Sequence, residues 1–245
     1  MKAALLGGTK GIGRALGRLL AEKGHDVCLL GRSVDDLERS VADLRIRGRG
    51  NSFFAAHCDL LRPETFGPAL DDASAKLGNL DCVIVTAAAF APQETLESDR
   101  VLARDLLMTN FTNTVLFCEE ARERLLARGG GTLCVLSSVS GERARKPVIL
   151  YGAAKAGLSA YLEGLDHKFR SRGLKTISVK PGFVKTGMTA GLPPPPFSGE
   201  PEGVAKDILA AIEKGRPVVY TPAMWRWVML AIRNLPRFVM RRIGF

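Results

Sequence analysis

The sequence predicts an α/β chain: a doubly wound parallel sheet of about seven strands with helices on both faces, built as a single domain. Three observations carry that expectation. Short apolar runs alternate with longer helical periodicities almost to the end of the chain. The runs are apolar at successive positions, as strands covered on both faces must be. The first run ends in glycine-rich sequence from which a helical pattern starts at once.

The strand-like runs lie at 3–6, 27–30, 52–56, 82–85, 132–136 and 176–179, with a weaker one at 218–220. Between them, Ile12, Ala15, Leu16, Leu19 and Leu20 share one helical face, and Leu37, Val41 and Leu44 share another. Longer helical patterns cover about 99–128 and 150–172. No repeat or linker divides the chain. Four prolines at 193–196 fit neither a helix nor a central strand, so this stretch is expected to be an extended surface excursion. The expected organisation is a sheet domain at 1–220, containing a substrate lid at 187–201, followed by a basic amphipathic segment at 221–245.

At 245 residues and 46% hydrophobic, the chain can bury a sizeable core without metal or crosslinks, which excludes disordered, collagen-like and disulfide-stapled classes. Its five cysteines are odd in number and widely spaced, and its three histidines form no ligand pattern. They read as buried thiols in a reducing compartment, with no metal site. The first run begins at residue 3, which leaves no room for a signal peptide. The apolar run at 227–232 is far short of the roughly 20 residues a spanning helix needs. A cytoplasmic chain that does not cross a membrane is the expectation. The net charge is +10, but seven cations and no acid lie at 214–245, so the remainder is nearly neutral. That concentration points to one localised anionic contact and away from nucleic acid, for which no recognised module appears.

The first strand runs into Gly7-Gly8-Thr9-Lys10-Gly11-Ile12-Gly13. Glycines there let the backbone turn sharply and let a pyrophosphate approach the amides, while the helix that follows presents the positive end of its dipole. A free ribose 2′-hydroxyl is usually met by Asp or Glu at the end of the second strand. This chain instead has Arg32, whose planar fork suits a 2′-phosphate, with Lys10 in the loop as a second cation. NADP(H) is therefore favoured over NAD(H). Downstream, Tyr151 and Lys155 lie one helical turn apart on one face. An ammonium at that distance is expected to lower the phenol from its ordinary pKa of about 10. Ser138 lies 13 residues before the tyrosine, at the carboxyl end of the fifth strand, where open parallel sheets bind their ligands.

With these residues in this order the chain resembles the short-chain dehydrogenase/reductase family over roughly residues 1–220. The resemblance rests on the glycine loop, Asp59 in Cys58-Asp59-Leu60, Asn110 in Thr109-Asn110-Phe111, Ser138, Tyr151, Lys155 and Pro181-Gly182-Phe183-Val184-Lys185-Thr186. It implies a Rossmann-type NADP-binding fold and oxidoreductase chemistry between ketone and alcohol. Tyr151 would be the general acid or base and Ser138 would bind the substrate oxygen. Lys155 would hold the nicotinamide ribose, and Asn110 a water in a proton relay. Asp59 and Leu60 would flank the adenine, with Ala87, Pro181, Val184 and Thr186 completing the cofactor contacts. The family also implies homodimers or homotetramers built on the two long helices. Two segments depart from its pattern: Leu6 replaces a threonine before the first glycine, and Thr86-Ala87-Ala88-Ala89 replaces an Asn-Asn-Ala-Gly sequence. Their joint loss of polarity reads as one apolar packing solution replacing a polar tie.

The basic tail interleaves arginine with Trp225, Trp227, Leu230, Phe238 and other large apolar residues, and Pro236 should divide it into a helix and a shorter turn. Such a segment suits an interfacial helix on anionic lipid, or a strip packed over the pocket mouth or a partner subunit. The tail, Ser137 to Arg143 and Lys185 to Met188 are similar to reductases of decaprenylphosphoryl keto-ribose, which implies a lipid-linked keto-sugar. Reduction of a ketoacyl, sphingoid or soluble carbonyl compound is the alternative within the same chemistry. A catalytically silent dinucleotide sensor is the alternative outside it.

Overall fold

Seven strands form one parallel sheet in the order β3-β2-β1-β4-β5-β6-β7 in a computed structural model that describes residues 1–243. The strands are β1 (Lys2–Leu6), β2 (Asp26–Gly31), β3 (Phe53–His57), β4 (Cys82–Val85), β5 (Gly131–Leu136), β6 (Leu174–Pro181) and β7 (Val218–Thr221). The chain starts in the middle of the sheet, winds outward through β2 and β3, then returns to β4 on the other side of β1. The crevice between β1 and β4 is the topological switch point, where sheets of this kind take ligands.

Each run is a strand within two residues of its ends, β6 reaching two residues beyond the run at both ends, to Leu174 and Pro181. The register Leu6↔Leu30 and Leu6↔Val85 aligns the carboxyl ends of the three central strands. Alternate side chains feed two cores. Leu6, Leu30, Val83 and Val135 pack under α3 (Phe66–Leu77) and the two long helices, whereas Leu5, Leu29, Ile84 and Val179 pack under the opposite layer. That second layer comprises α1 (Gly11–Glu22), α2 (Val34–Arg47) and α8 (Pro201–Lys214).

The helical pattern expected at about 99–128 is present and carries a π-helical turn in its middle. After α4 (Gln93–Ser98), Asp99 caps α5 (Arg100–Leu107) by accepting from the amides of Val101 and Leu102. A π-helical turn then occupies Met108–Thr112 before α6 (Asn113–Ala127). The other long helix, α7, spans Ile149–Phe169. The sequence pattern does not single out α3 or α8. Gly67 and Pro68 interrupt the start of α3, and α8 follows directly on the proline run. The tail forms two helices, α9 (Trp225–Arg233) and α10 (Arg237–Arg242), with Pro236 as the cap of the second. Among the described residues no helix is long and apolar enough to cross a membrane.

Close packing of α1 on β1 depends on Gly13, where a Cβ would lie 2.1 Å from the Gly7 carbonyl oxygen. Gly13→Ala should therefore lower stability by about 3 kcal/mol. Gly203→Ala, in the first turns of α8 with open space around it, should leave stability unchanged or raise it by up to about 1 kcal/mol. Chemical denaturation of the two variants checks the contrast.

Candidate active site

The glycine loop leaves β1 in a conformation few other residues could follow. Gly7 has φ of +93°, and a Cβ there would lie 2.5 Å from the amide nitrogen of Ala87. Gly11 is also left-handed, at φ of +50°, with Thr186 packed over it: a Cβ would meet the Thr186 Cγ2 at 3.3 Å. Ala87 and Thr186 therefore close on the loop from either side. Lys10 occupies the cap position of α1, but no side chain caps the helix and no acid lies in its first turn. Its first amides remain available to an anion. The loop thus fits a pyrophosphate: bare backbone and a positive helix end, with Ile12 turned into the core and the Thr9 carbonyl taken by Arg14.

The cations at the β2 end are arranged less simply than the sequence suggests. Arg32 is exposed and makes no described hydrogen bond or ion pair. Lys10 Nζ lies 3.4 Å from Asp36, which also accepts from Arg39 at 2.8 Å. Hydrogen bonding to Arg39 holds the Asp36 carboxyl below its ordinary range. Lys10 and Arg39 therefore meet on one carboxylate in the first turn of α2, shortly beyond β2 and Arg32. Sequence reasoning missed Arg39, which only the helical turn between Asp36 and Arg39 brings into the group. At the end of β3, the Asp59 carboxylate accepts from the Leu61 amide at 2.9 Å, while Leu60 is buried and its carbonyl accepts from Asn113.

The polar tie between β1 and β4 is retained, contrary to the apolar replacement expected from Leu6 and the alanines. The Thr86 hydroxyl donates to the Leu6 carbonyl at 3.0 Å, which also accepts from the amides of Thr86 and Ala87. Leu6 itself packs in the core, so one threonine supplies the bond that two polar segments would otherwise share.

Tyr151 stands in the first turn of α7 with its hydroxyl beside Ser138, just beyond β5. Phe90 meets its ring edge-on at 5.4 Å between centroids. Ser138 Oγ also accepts from the Ser140 amide at 3.0 Å, which fixes the hydroxyl's direction. Lys155 is buried; its Nζ donates to the Leu136 carbonyl at 2.9 Å and lies 5.8 Å from the Tyr151 ring centre. Asn110 sits in the π-helical turn, wholly buried, its amide bridging both the N–H and the carbonyl of Ala89. The turn lets α5 and α6 run on while this one side chain pins the chain after β4.

The electrostatics correct the expected lowering of the phenol. Burial pushes Tyr151 up to about 12, with the neighbouring Ser138 hydroxyl opposing the rise. Burial pushes Lys155 down to about 8. Desolvation dominates both shifts, and the phenol keeps its proton at neutral pH. That is the form able to give a proton to a nascent alkoxide.

Pro181 ends β6, Val184 is buried, and the Thr186 amide donates to Thr189 Oγ1 at 3.0 Å. Beyond them the 187–201 stretch borders a cleft of about 490 Å³ lined partly by Phe183, Lys185, Leu192 and Pro194.

With this geometry in place, the comparison with known proteins is decisive. The family described as short chain dehydrogenase matches residues 2–195. The chain belongs to the short-chain dehydrogenase/reductase family. It is 33% identical over 242 residues to an oxidoreductase of Mycobacterium tuberculosis, covering 98% of this chain and 95% of that one. Carbonyl reductase family member 4 of Xenopus laevis is 26% identical over 218 residues, 86% of this chain and 90% of its own. A short-chain type dehydrogenase/reductase from Mycobacterium ulcerans superimposes with a TM-score of 0.81 at 21% identity, over 89% of this chain and 87% of that one. A variant of the actinorhodin polyketide ketoreductase with NADPH gives a TM-score of 0.80 at 20% identity, over 89% and 94%. The chain is thus an oxidoreductase of a family that uses nicotinamide dinucleotides.

In this dehydrogenase/reductase the tail helices dock against the serine loop. Trp225 and Met229 form a small core with Val139 and Phe183. Glu142 is a buried carboxylate that accepts from Lys180 Nζ at 2.6 Å and the Tyr220 hydroxyl at 2.8 Å, with Arg233 at 3.6 Å. Arg143 donates to the Leu235 carbonyl at 2.6 Å. No sequence signal separates Glu142 from an ordinary surface acid, since its partners lie 38 to 91 positions away.

The buried ammonium yields a stability prediction. Displacement of Lys155 from 10.5 to about 8 corresponds to about 3 kcal/mol against the charged form. That exceeds the roughly 1 kcal/mol of the bond to Leu136. Lys155→Met should therefore be more stable than the parent at pH 7, by about 1–2 kcal/mol. Between about 8 and 10.5 the unfolded parent binds the extra proton, so the parent gains stability as pH rises and the advantage shrinks. Denaturation of both proteins across that window checks this; a constant difference would contradict it.

Proposed function

We propose that the protein is an NADPH-dependent reductase that converts a ketone on an amphiphilic, lipid-linked substrate into a secondary alcohol. One observation carries the chemistry: the neighbouring hydroxyls of Ser138 and Tyr151, with the Lys155 ammonium one turn further along α7, at the carboxyl end of β5. Ser138 and Tyr151 hold the carbonyl oxygen between them, which polarises it and fixes its distance from the reacting face. NADPH, when bound, supplies the hydride to the carbonyl carbon. Tyr151 gives its proton to the oxygen as charge develops there. Lys155 stabilises the phenolate left behind, and proton return follows a water relay at Asn110, as the family resemblance implies.

The cofactor reading assigns the pyrophosphate to Gly7, Thr9, Gly11, Ile12 and Gly13, and the adenine to Asp59 and Leu60. Ala87, Pro181, Val184 and Thr186 line the nicotinamide side. Lys10 and Arg32, joined by Arg39, support a 2′-phosphate: Asp36, the carboxylate paired with Lys10 and Arg39, is already engaged by two cations. The cleft bordered by the lid, with Phe183, Leu192 and Pro194 in its lining, suits a substrate with an apolar chain. Its Lys185, paired with Glu200 at 2.6 Å, suits an anionic linker that replaces that carboxylate. Similarity to decaprenylphosphoryl keto-ribose reductases makes a lipid-linked keto-sugar the specific candidate. The second reading, a ketoacyl or soluble carbonyl substrate, is favoured by relatives named carbonyl reductase and 3-oxoacyl-[acyl-carrier-protein] reductase. A silent sensor would have no use for the hydroxyl pair and buried ammonium. Exposed Phe111 and Leu116 on the α6 side support self-association into a dimer or tetramer. Five buried free thiols support a reducing compartment, the cytoplasm.

Two measurements test the proposal. Tyr151→Phe should bind NADPH like the parent and reduce ketones about a thousandfold more slowly; a variant as active as the parent would refute the proton role. Lys10→Ser with Arg32→Ser should raise the KM for NADPH about tenfold or more and leave that for NADH unchanged. Equal effects on both cofactors would refute the phosphate assignment.

A further inference from the structure

We infer that the proline lid and the C-terminal helices together form a docking surface for an anionic phospholipid bilayer. The two segments are physically joined. The Trp225 indole nitrogen donates to the Phe197 carbonyl at 3.0 Å, and Trp225 and Met229 pack inward on Val139 and Phe183. With α9 anchored by that inner face, its outer face is left uncovered. Trp227 and Phe238 are each 62% exposed and Phe197 on the lid 54%, with Leu230, Met188 and Leu192 also exposed. These six side chains are large and apolar, and they sit on the two segments that the Trp225 bond holds together.

Charge decides what this surface meets. Arg226, Arg237, Arg241 and Arg242 are exposed among the apolar residues, no acid occurs anywhere at 214–245, and the acid of the lid at 187–201, Glu200, is paired with Lys185 Nζ at 2.6 Å. Beneath α9, Glu142 is buried and engaged by Lys180, Tyr220 and Arg233. The face therefore carries a net positive charge. A symmetric contact with a second copy would set arginine against arginine, which disfavours a self-interface. An anionic bilayer offers both complements at once: headgroup phosphates for the guanidiniums and an interfacial layer for the rings. A helix of nine residues spans only about 14 Å, so α9 lies along the surface and does not enter the hydrocarbon. Docking would place the lid, and the cleft beneath it, at the headgroup level. The surface stands on its own residues; that it delivers a lipid-linked ketone to Tyr151 rests on the proposed reductase reading.

The test uses the full chain and vesicles of phosphatidylcholine with and without phosphatidylglycerol. Co-sedimentation should require phosphatidylglycerol and weaken with salt. Trp227→Ser with Phe238→Ser, and separately Arg226→Glu with Arg237→Glu, should each weaken binding by about tenfold or more. Both variants should keep the parent's melting temperature and its NADPH-dependent reduction of a water-soluble ketone. Turnover without vesicle binding overturns the surface and leaves the reductase intact; vesicle binding without turnover does the reverse. Equal binding to both vesicle types, or variants that reduce the sedimentation-equilibrium mass of the parent, would also overturn it, the latter in favour of a second copy.

Discussion

A buried ammonium without a carboxylate partner governs this site. Lys155 is held by the Leu136 carbonyl, the last residue of β5, and its own carbonyl accepts from the Ser137 hydroxyl at 3.0 Å. Ser137 also bonds to Ser159 at 2.7 Å, so α7 and the end of β5 are laced together on both sides of the lysine. The close approach is possible because Gly141 faces the helix backbone: a Cβ there would lie 2.6 Å from the Lys155 carbonyl carbon. Ser138 and Tyr151 inherit their mutual position from this docking. The hydroxyl pair is a consequence of how the lysine is housed.

That housing sets two opposing demands. Removing the site from water penalises both the ammonium and any phenolate, which is why Lys155 falls and Tyr151 rises. The same dryness makes the attraction between ammonium and phenolate large once a proton has left the tyrosine. In the resting protein the first effect wins and the phenol is a stored acid. As the proton moves, the second effect grows. A site that costs stability at rest and stabilises charge during reaction is what differential binding of a transition state requires.

Much of this was legible in the sequence. The sheet was readable because its strands are short, doubly covered and separated by helical periodicity, and the glycine loop, Ser138, Tyr151 and Lys155 are local patterns at fixed offsets. What escaped depends on distance along the chain or on competing energies. Arg39 joins the cation group only through a helical turn and Asp36. Thr86 keeps a polar tie that Leu6 and three alanines had suggested was lost. Glu142 is distinguished only by partners brought from β6, β7 and α9. The π-helical turn that seats Asn110 leaves no mark in the hydrophobic period of a helix that otherwise continues. The direction of the Tyr151 shift could not be read from spacing, because spacing records the nearby charge and not the burial that opposes it. The tail showed its amphipathic character, but which face turns inward was set by Val139 and Phe183.

The central claim is that the Lys155 charge, lost near pH 8 in this buried setting, carries the proton transfer from Tyr151. The pH dependence of kcat/KM for reduction of a soluble ketone at saturating NADPH tests it most directly. The account predicts a rate that is level through neutrality and falls as pH rises through about 8. A profile that stays level up to the ordinary lysine value of 10.5 would contradict it.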